Sequence, residues 1–513
     1  MMLLNFVPDW LITHGPAFLI ILPLLMAAVT AIMPGRKPAW LIAFLVSVIC
    51  TVTAFALASY NLENGASIYP MGGWDPPHGI SLVIDALSAP ILVLIAFMAV
   101  ISLVYALPAT LAEIEPKKRA PYYAAFLLCV AGLLGMVVTG DAFNVFVFLE
   151  VSSISTYVLV AMGASRDRRA LSAAYNYLIL GSIGATFFVI GIGFLYMETG
   201  TLNMADMAAI LSEMKGGSRV SKVAFGFIVV GLGLKLAMFP LHTWLPGAYA
   251  YAPTKVTTFL ASTATKAALY LLLRFTFTVF DPSFEYVAPV LKYLFVALAV
   301  IGMVFASLQA IFQTDARRIL AFSSVAQVGY MLLGIGIATG ASIAAGYLHL
   351  LNHAIIKGGL FLAVGAMWYR FGITRTSDFN GLGKTMPWTM GAFTISGLSL
   401  IGVPFTAGFV SKVNLASAAA DQGWWWAVGV IVLTSILAIF YVGQLLLAAY
   451  FQDPPEIDGQ VCAKHEAPLA MLIPMWLLAA ISVAVGTNIL GAGDLFVDLS
   501  DSASALLLSG GGR

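Results

Sequence analysis

The chain has 513 residues, of which 61% are hydrophobic and 10% charged, whereas a soluble domain carries roughly 25% charged residues. So few charges cannot clothe the surface of a water-soluble protein of this length, which excludes a soluble enzyme and a disordered scaffold. A net charge of +1, from 25 basic and 24 acidic residues, offers no field to hold a nucleic acid.

What remains is an all-α polytopic membrane protein, since each crossing needs about 20 mostly apolar residues. Reading apolar runs between charged or Gly/Pro-rich breaks predicts about fourteen transmembrane helices. In chain order the first eight are Pro16–Met33, Ala39–Tyr60, Ile80–Leu107, Tyr122–Thr139, Phe143–Met162, Ala173–Met197, Ser221–Pro240 and Val256–Val279. The next six are Val287–Phe312, Ile319–Thr339, Ala341–Trp368, Trp388–Ala420, Trp424–Tyr450 and Ala467–Leu490. No strand-like alternation supports a barrel. The first residues lack the basic region and small-residue site of a cleavable signal. Asp206, Glu213, Lys215 and Arg219 are expected on a short amphipathic surface segment.

An even number of crossings puts both termini on one side. Fifteen loop cations then share one face: Arg36, Lys37, Lys117, Lys118, Arg119, Arg166, Arg168, Arg169, Lys255, Arg317, Arg318, Arg370, Arg375, Lys384 and Lys464. Six lie on the other: Lys215, Arg219, Lys222, Arg274, Lys292 and Arg513. The excess marks the cytoplasmic face and predicts both termini outside the cell membrane.

Four lysines fall inside spans: Lys235, Lys266, Lys357 and Lys412, with Glu150 as the matching acid. A charge at the bilayer centre costs about 2.5–3.5 kcal/mol even on the lenient insertion scale. Helix-to-helix glue is one role for such groups; ion and proton routes are the commoner one. A dry environment disfavours the ammonium form of lysine and a nearby carboxylate favours it. A Glu150–Lys235 pair of variable separation therefore tunes proton affinity, with Lys266 as the next acceptor. His349, His353 and Lys357 stand at i, i+4 and i+8, a polar stripe on one helix face. Imidazole suits proton shuttling, and with no HExxH glutamate or nearby carboxylate a metal site is the weaker reading.

Two spans carry helix breakers beside a buried lysine. LAMFPLHTWLPGAYAYAP holds Pro240, Pro246 and Pro253, and IGVPFTAGFVSK holds Gly402, Pro404 and Gly408. Proline removes a backbone donor and unwinds the helix, which lipid tolerates only where the backbone is buried in protein or lines a cavity. Two such segments in corresponding halves predict two inverted five-helix repeats around a midplane ion path. The expected divisions are residues 1–120 as a three-helix region, 121–280 and 281–451 as the repeats, and 452–513 as a C-terminal helix and tail. Cys50, Cys129 and Cys462 are too far apart for a cluster, and no GxGxxG loop or haem motif occurs, so no cofactor and no metal is expected on this chain.

The segments TGDAFNVFVFLEVSSIS, FPLHTWLPGAYAYAP, VTTFLASTATKAALYLLLR, FQTDARRILAFSSVAQVGYM, HLLNHAIIKGGLF and GVPFTAGFVSK together resemble the antiporter-like subunit family. That family comprises the proton-pumping membrane subunits of complex I, related membrane-bound hydrogenases, and the A and D subunits of Mrp-type cation/proton antiporters. GDAFNVFVFLEVSSIS and YMETGTLNMADMA look most like the D subunits. The resemblance implies a hetero-oligomer with other antiporter membrane subunits in the plasma membrane, exchanging Na+ for H+ without an active site of its own. It implies a proton relay through Glu150, Lys235, Lys266, His349, His353, Lys357 and Lys412. Some complex I paralogues have glutamate at the last position, so Lys412 weighs against that subtype. The competing expectations are a proton-pumping subunit of a redox enzyme and, less well supported, a scaffold. Asp141 is read as a helix cap, and Asp315, Arg317 and Arg318 as loop anchors.

Overall fold

The structure is a computed structural model and describes residues 8–453, 456–457, 460–461 and 465–509; Cys462, Lys464 and Arg513 lie outside them. Twelve helices among the described residues are long and apolar enough to cross a membrane. They are α1 (Asp9–Ile32), α2 (Arg36–Asn64), α3 (Ala89–Glu113), α4 (Arg119–Val138), α5 (Ala142–Ala161) and α6 (Arg169–Thr199), followed after three shorter helices by α10 (Thr254–Arg274). The intervening elements are the short α7 (Met204–Glu213), α8 (Arg219–Leu236) and α9 (Leu245–Tyr251). Then come α11 (Val287–Ile311), α12 (Ala316–Ile337) and α13 (Gly340–Phe371). The chain continues through α14 (Pro387–Ile401) and α15 (Ala407–Asp421) to α16 (Trp425–Phe451), α17 (Leu469–Thr487) and α18 (Ala492–Leu508). The pairs α8/α9 and α14/α15 are the two broken crossings, which complete the expected fourteen. The protein is an all-α polytopic membrane protein.

The third span differs from expectation. Residues expected to open it form a strand, β2 (Ser81–Ile84), paired antiparallel with β1 (Ser67–Pro70). The run SLVI is rich in β-branched and apolar residues that suit a strand. Asp85 then turns the chain by accepting hydrogen bonds from the Leu87 and Ser88 amides, and α3 starts at Ala89 with Pro90 in its first turn. The amphipathic segment after the sixth crossing forms as α7, which carries Asp206 and Glu213 and buries Met204, Met207, Ala208 and Leu211, whereas Lys215 follows its end in a turn and Arg219 opens α8.

The breakers act where the sequence places them. Gly402 closes α14 at φ 93°, a left-handed conformation that glycine adopts without a Cβ penalty. In the other break the chain leaves α8 at Ala237, and the Trp244 indole donates to the freed Leu234 carbonyl at 2.9 Å. The burial pattern is layered: α12 and α13 are fully buried over their most apolar stretches, whereas α16 and α6 expose wide apolar faces, as expected of helices inside and at the rim of a bundle.

An internal correspondence also emerges. Asp141 caps α5 by accepting from the Asn144 amide at 2.7 Å, and Asp315 caps α12 by accepting from the Arg317 and Arg318 amides. Each cap sits in a short antiparallel bridge to the chain leaving the next helix, Asp141 to Asn203 and Asp315 to Arg375. The hydrogen bonds match: Ala142 N to Leu202 O and Met204 N to Gly140 O in one, Ala316 N to Thr374 O and Thr376 N to Thr314 O in the other. The helices leading into the two bridges end at left-handed Gly200 and Gly372. Five crossings separate the two caps, so the bridges lie on opposite faces.

Asp141→Ala and Asp315→Ala should each destabilise the purified chain by about 1 kcal/mol, read by denaturant titration in micelles. Asp→Asn at either position keeps an accepting oxygen and should leave the midpoint near that of the parent.

Candidate functional site

The lysines and histidines singled out in the sequence are buried inside the bundle, and Glu150 is partly so. Lys235 (8% exposed), Lys266 (1%), His349 (1%), His353 (1%), Lys357 (0%) and Lys412 (5%) have almost no accessible surface. Glu150 on α5 is half-buried, and its Oε1 is buried without a hydrogen-bond partner.

Lys235 lies in the last turn of α8. Its Nζ donates to Ser153 Oγ at 2.5 Å and to Tyr157 Oη at 3.4 Å. Ser153 and Tyr157 follow Glu150 on α5 at i+3 and i+7, so one helix face presents the acid and then two hydroxyls. The Glu150–Lys235 pair, expected at variable separation, is open in this structure: the ammonium is docked on hydroxyls one turn along, still within the field of Glu150. A cavity of about 20 Å³ adjoins it, lined by Ser152, Ser153, Thr156, Tyr177, Lys235 and residues Ala264 and Ala268 of α10. That volume holds about one water, on the side of Lys235 that faces α10.

Lys266 has no partner from another helix among its hydrogen bonds. Its Nζ turns back to Ala261 O at 2.5 Å and Thr265 Oγ1 at 3.3 Å. Beyond it, His353 has both ring nitrogens buried without a partner and lies in the combined field of Lys266, Lys357, His349 and Lys412. Its ring is nearly parallel to His349, centroids 6.1 Å apart. His349 is bonded on both sides, Nε2 to Gln327 Oε1 at 2.9 Å and Nδ1 to Ser411 Oγ at 2.8 Å. It therefore joins α12 to α15, and the residue after Ser411 is Lys412. The stripe's third member runs elsewhere: Lys357 donates to Leu320 O and Ser323 Oγ of α12.

Lys412 explains its own proximity to the break. Its Nζ donates to Leu400 O at 3.0 Å, Ile401 O at 2.9 Å and Ser435 Oγ at 3.2 Å, over the Tyr330 ring at 4.8 Å. Leu400 and Ile401 are the last residues of α14, whose carbonyls lose their helical donors at Gly402. A cation at a helix C-terminus satisfies those carbonyls and the negative end of the dipole together.

Sequence reading did not single out Ser153, Tyr157, Gln327, Ser323, Ser411 or Ser435. Each is a neutral hydroxyl or amide inside an apolar span, a weaker signal than a charge. It also assigned Lys255, Arg166 and Arg317 to the cytoplasmic edge, where Lys255 and Arg317 prove 0% and 1% exposed. They surround Glu113, which lies beyond the expected end of the third span. Arg317 donates to Ala250 O, Ala252 O and Thr254 Oγ1, so it caps the C-terminal end of α9 as well as anchoring its loop.

With this geometry in place, the chain's likenesses to known proteins are specific. The family described as NADH:quinone oxidoreductase/Mrp antiporter, TM, matches residues 139–438. NADH-quinone oxidoreductase subunit N of Desulforudis audaxviator (strain MP104C) is 40% identical over 485 residues, 92% of this chain and 95% of that protein. The Na(+)/H(+) antiporter D subunit of Alkalihalophilus pseudofirmus is 33% identical over 83% of each chain. In the solved Mrp complex from Dietzia sp. DQ12-45-1b, one chain superposes with a TM-score of 0.87 at 28% identity, covering 97% of this chain and 98% of that one.

The Lys235 dock is tight enough to test by volume. A Cβ at Gly181 on α6 would collide with the Tyr157 hydroxyl and stand 3.3 Å from Lys235 Nζ. Gly181→Ala should lower ion transport by the assembled complex about tenfold or more without loss of assembly. Thr186→Ala, at an exposed position on the same helix, should leave the rate unchanged.

Proposed function

The chain belongs to the NADH:quinone oxidoreductase/Mrp antiporter family, and from that premise we propose that it is the proton-translocating subunit of a multisubunit Mrp-type Na+/H+ antiporter in the plasma membrane. It is an antiporter-type membrane subunit, and the observation that carries the finer reading is the continuity of the buried tract. Lys235 and Ser153, one turn from Glu150, face a one-water cavity that reaches α10; Lys266, His353 and His349 follow; and Ser411 hands the line to Lys412 at the second helix break.

A proton reaches Lys266 from the face with the basic loops, the face assigned to the cytoplasm. Lys235 moves between the Ser153–Tyr157 dock and Glu150. Docked on neutral hydroxyls, it adds an unpaired positive charge that favours proton release from the tract; paired with Glu150, it is neutralised and the tract holds its proton. The proton crosses by His353, whose free nitrogens can accept and donate, to His349, whose neighbours Gln327 and Ser411 fix its ring. It leaves through Lys412 toward the opposite face. Lys357, docked on Ser323, is a side station on the stripe. The work is differential stabilisation of protonation states rather than bond chemistry.

The matching caps and bridges at Asp141 and Asp315 support two inverted repeats, residues 121–280 and 281–451, flanked by a three-helix N-terminal region and a C-terminal helix and tail. Each repeat then contributes one broken crossing and one buried lysine beside it. Other membrane subunits of the antiporter are the expected partners, with both termini on the outer side.

A second reading is a proton-pumping subunit of a respiratory complex, favoured by the 40% identical relative named as NADH-quinone oxidoreductase subunit N. The complex purified with its partners and placed in proteoliposomes separates the two. Under the antiport reading, a sodium gradient drives proton movement with no electron donor present; strict dependence on a donor would instead establish the pump. Under either, Lys266→Ala and Glu150→Ala should abolish proton movement with assembly intact, and wild-type flux in either variant would overturn the relay.

A further inference from the structure

Lys266 poses a positioning problem. Its ammonium is held only by its own helix, at Ala261 O and Thr265 Oγ1, so its place in the bundle is set by where α10 sits. His353, the next group in the tract, belongs to α13 and makes no hydrogen bond through its ring. Neither group is steered by a side chain reaching across the gap. The separation between them must be set by whatever holds α10 and α13 relative to each other.

Both helices are fastened to α3. Odd- and even-numbered crossings run in opposite directions, so α3, the third, and α10, the eighth, are antiparallel and meet end to end. At one end Arg274 Nη2, in the last turn of α10, lies 2.6 and 2.8 Å from the two oxygens of Asp85, the residue that turns the chain into α3. Asp85 and Arg274 are 3% and 7% exposed. At the other end Glu113, the last residue of α3, accepts from the Thr254 amide at 3.1 Å and the Thr254 hydroxyl at 2.6 Å, at the first residue of α10. Lys255 Nζ and Arg166 Nη1 each stand 3.7 Å from the same carboxylate. The acid lies at the positive end of the α10 dipole and the arginine at its negative end, both favourable. The α3 segment is also tied to α13, along the helix where Tyr105 Oη donates to Leu362 O at 3.0 Å and at the turn before it where Tyr347 Oη donates to Leu87 O at 2.7 Å. Mid-way, Ser262 donates to Ala354 O at 2.9 Å, and a Cβ at Gly358 of α13 would meet Met98 of α3 and Ser262 of α10 within 3.1 Å.

We propose that α3 is a strut that sets the spacing between Lys266 on α10 and His353 on α13, with Asp85 and Glu113 as positioning residues acting through Arg274, Thr254 and Lys255. This rests on the relay reading above. The strut stands outside the two five-helix repeats and bridges the helix that ends the first to the helix at the centre of the second. Buried ion pairs are costly to form and costlier to break singly, which suits a brace that must not open while the broken helices rearrange.

The variants are Asp85→Asn, Arg274→Gln and the two combined, each in the full complex in proteoliposomes. Asp85→Asn keeps the oxygen that accepts from the Leu87 and Ser88 amides, and the double variant leaves no orphaned charge, so it assembles. The expected result for the double variant is a maximal transport rate lowered about tenfold or more, with the cation concentration for half-maximal rate unchanged. Hydrogen exchange at the α10 amides should be faster than in the parent. A double variant with parental rate and parental α10 exchange would overturn the strut, as would an equal loss in rate and in apparent cation affinity. The exchange measurement is independent of activity, and transport that survives Lys266→Ala would sink the relay instead, so the two failures are distinct.

Discussion

In the hydrocarbon core there is no water to solvate a charge or a broken helix end, so each must find its partner within the protein. This structure answers both needs with the same atoms where it can. Breaking α14 at Gly402 strands the carbonyls of Leu400 and Ile401; Lys412, further along the chain, brings a buried ammonium. Folding the lysine back onto the carbonyls satisfies both. Arg317 does the same for the end of α9 through Ala250 and Ala252. The irregular backbone and the buried cations, which look like two separate liabilities in the sequence, are one arrangement in the fold.

That arrangement divides the bundle into parts that can move and parts that cannot. The groups of the proposed relay are docked mostly on neutral partners, hydroxyls for Lys235 and Lys357, an amide and a hydroxyl for His349. Such contacts exchange readily, because moving an ammonium from one hydroxyl to another leaves no counter-charge behind. The buried carboxylates paired with cations among the described residues, Asp85 and Glu113, lie instead at the two ends of α3. Full charge pairing is thus concentrated where helices are fastened, and Glu150, the acid in the tract, keeps a free oxygen. A relay needs near-equal alternatives for its charge, and a brace needs a single deep one.

How much of this is legible in the sequence follows from the same physics. A charge in a 20-residue apolar run is conspicuous, so Glu150 and the four lysines stand out, as do the proline- and glycine-rich breaks. Span ends are less legible. Ser81–Ile84 is as apolar as the helix it precedes, and only the pairing with Ser67–Pro70 makes it a strand. Lys255 reads as a loop charge, and Glu113 falls past the expected span, because a helix extending beyond the apolar run carries its end turn, and any charge on it, into the protein rather than into water. The proposed repeat is hidden for a further reason. Its two segments share the backbone geometry of a cap and a bridge, which TGDA and QTDA at the caps and GTLN and GITR at the bridges can satisfy with little common sequence.

The two halves nevertheless use their breaks differently, and the difference suits them to different parts. In the first half the lysine precedes the break: Lys235 sits in the last turn of α8, the freed Leu234 carbonyl is taken by the Trp244 indole, and the ammonium goes to Ser153. In the second half the lysine follows the break, and Lys412 takes the carbonyls itself. The first lysine is therefore free to trade its hydroxyls for Glu150 without disturbing the broken helix. The second cannot leave without uncapping α14. A proton that arrives at Lys412 and restores its charge, or leaves and removes it, must change how firmly the two pieces of the broken crossing are held together. Under the proposed relay, switching of affinity falls to the first half, and the coupling of protonation to backbone opening falls to the second.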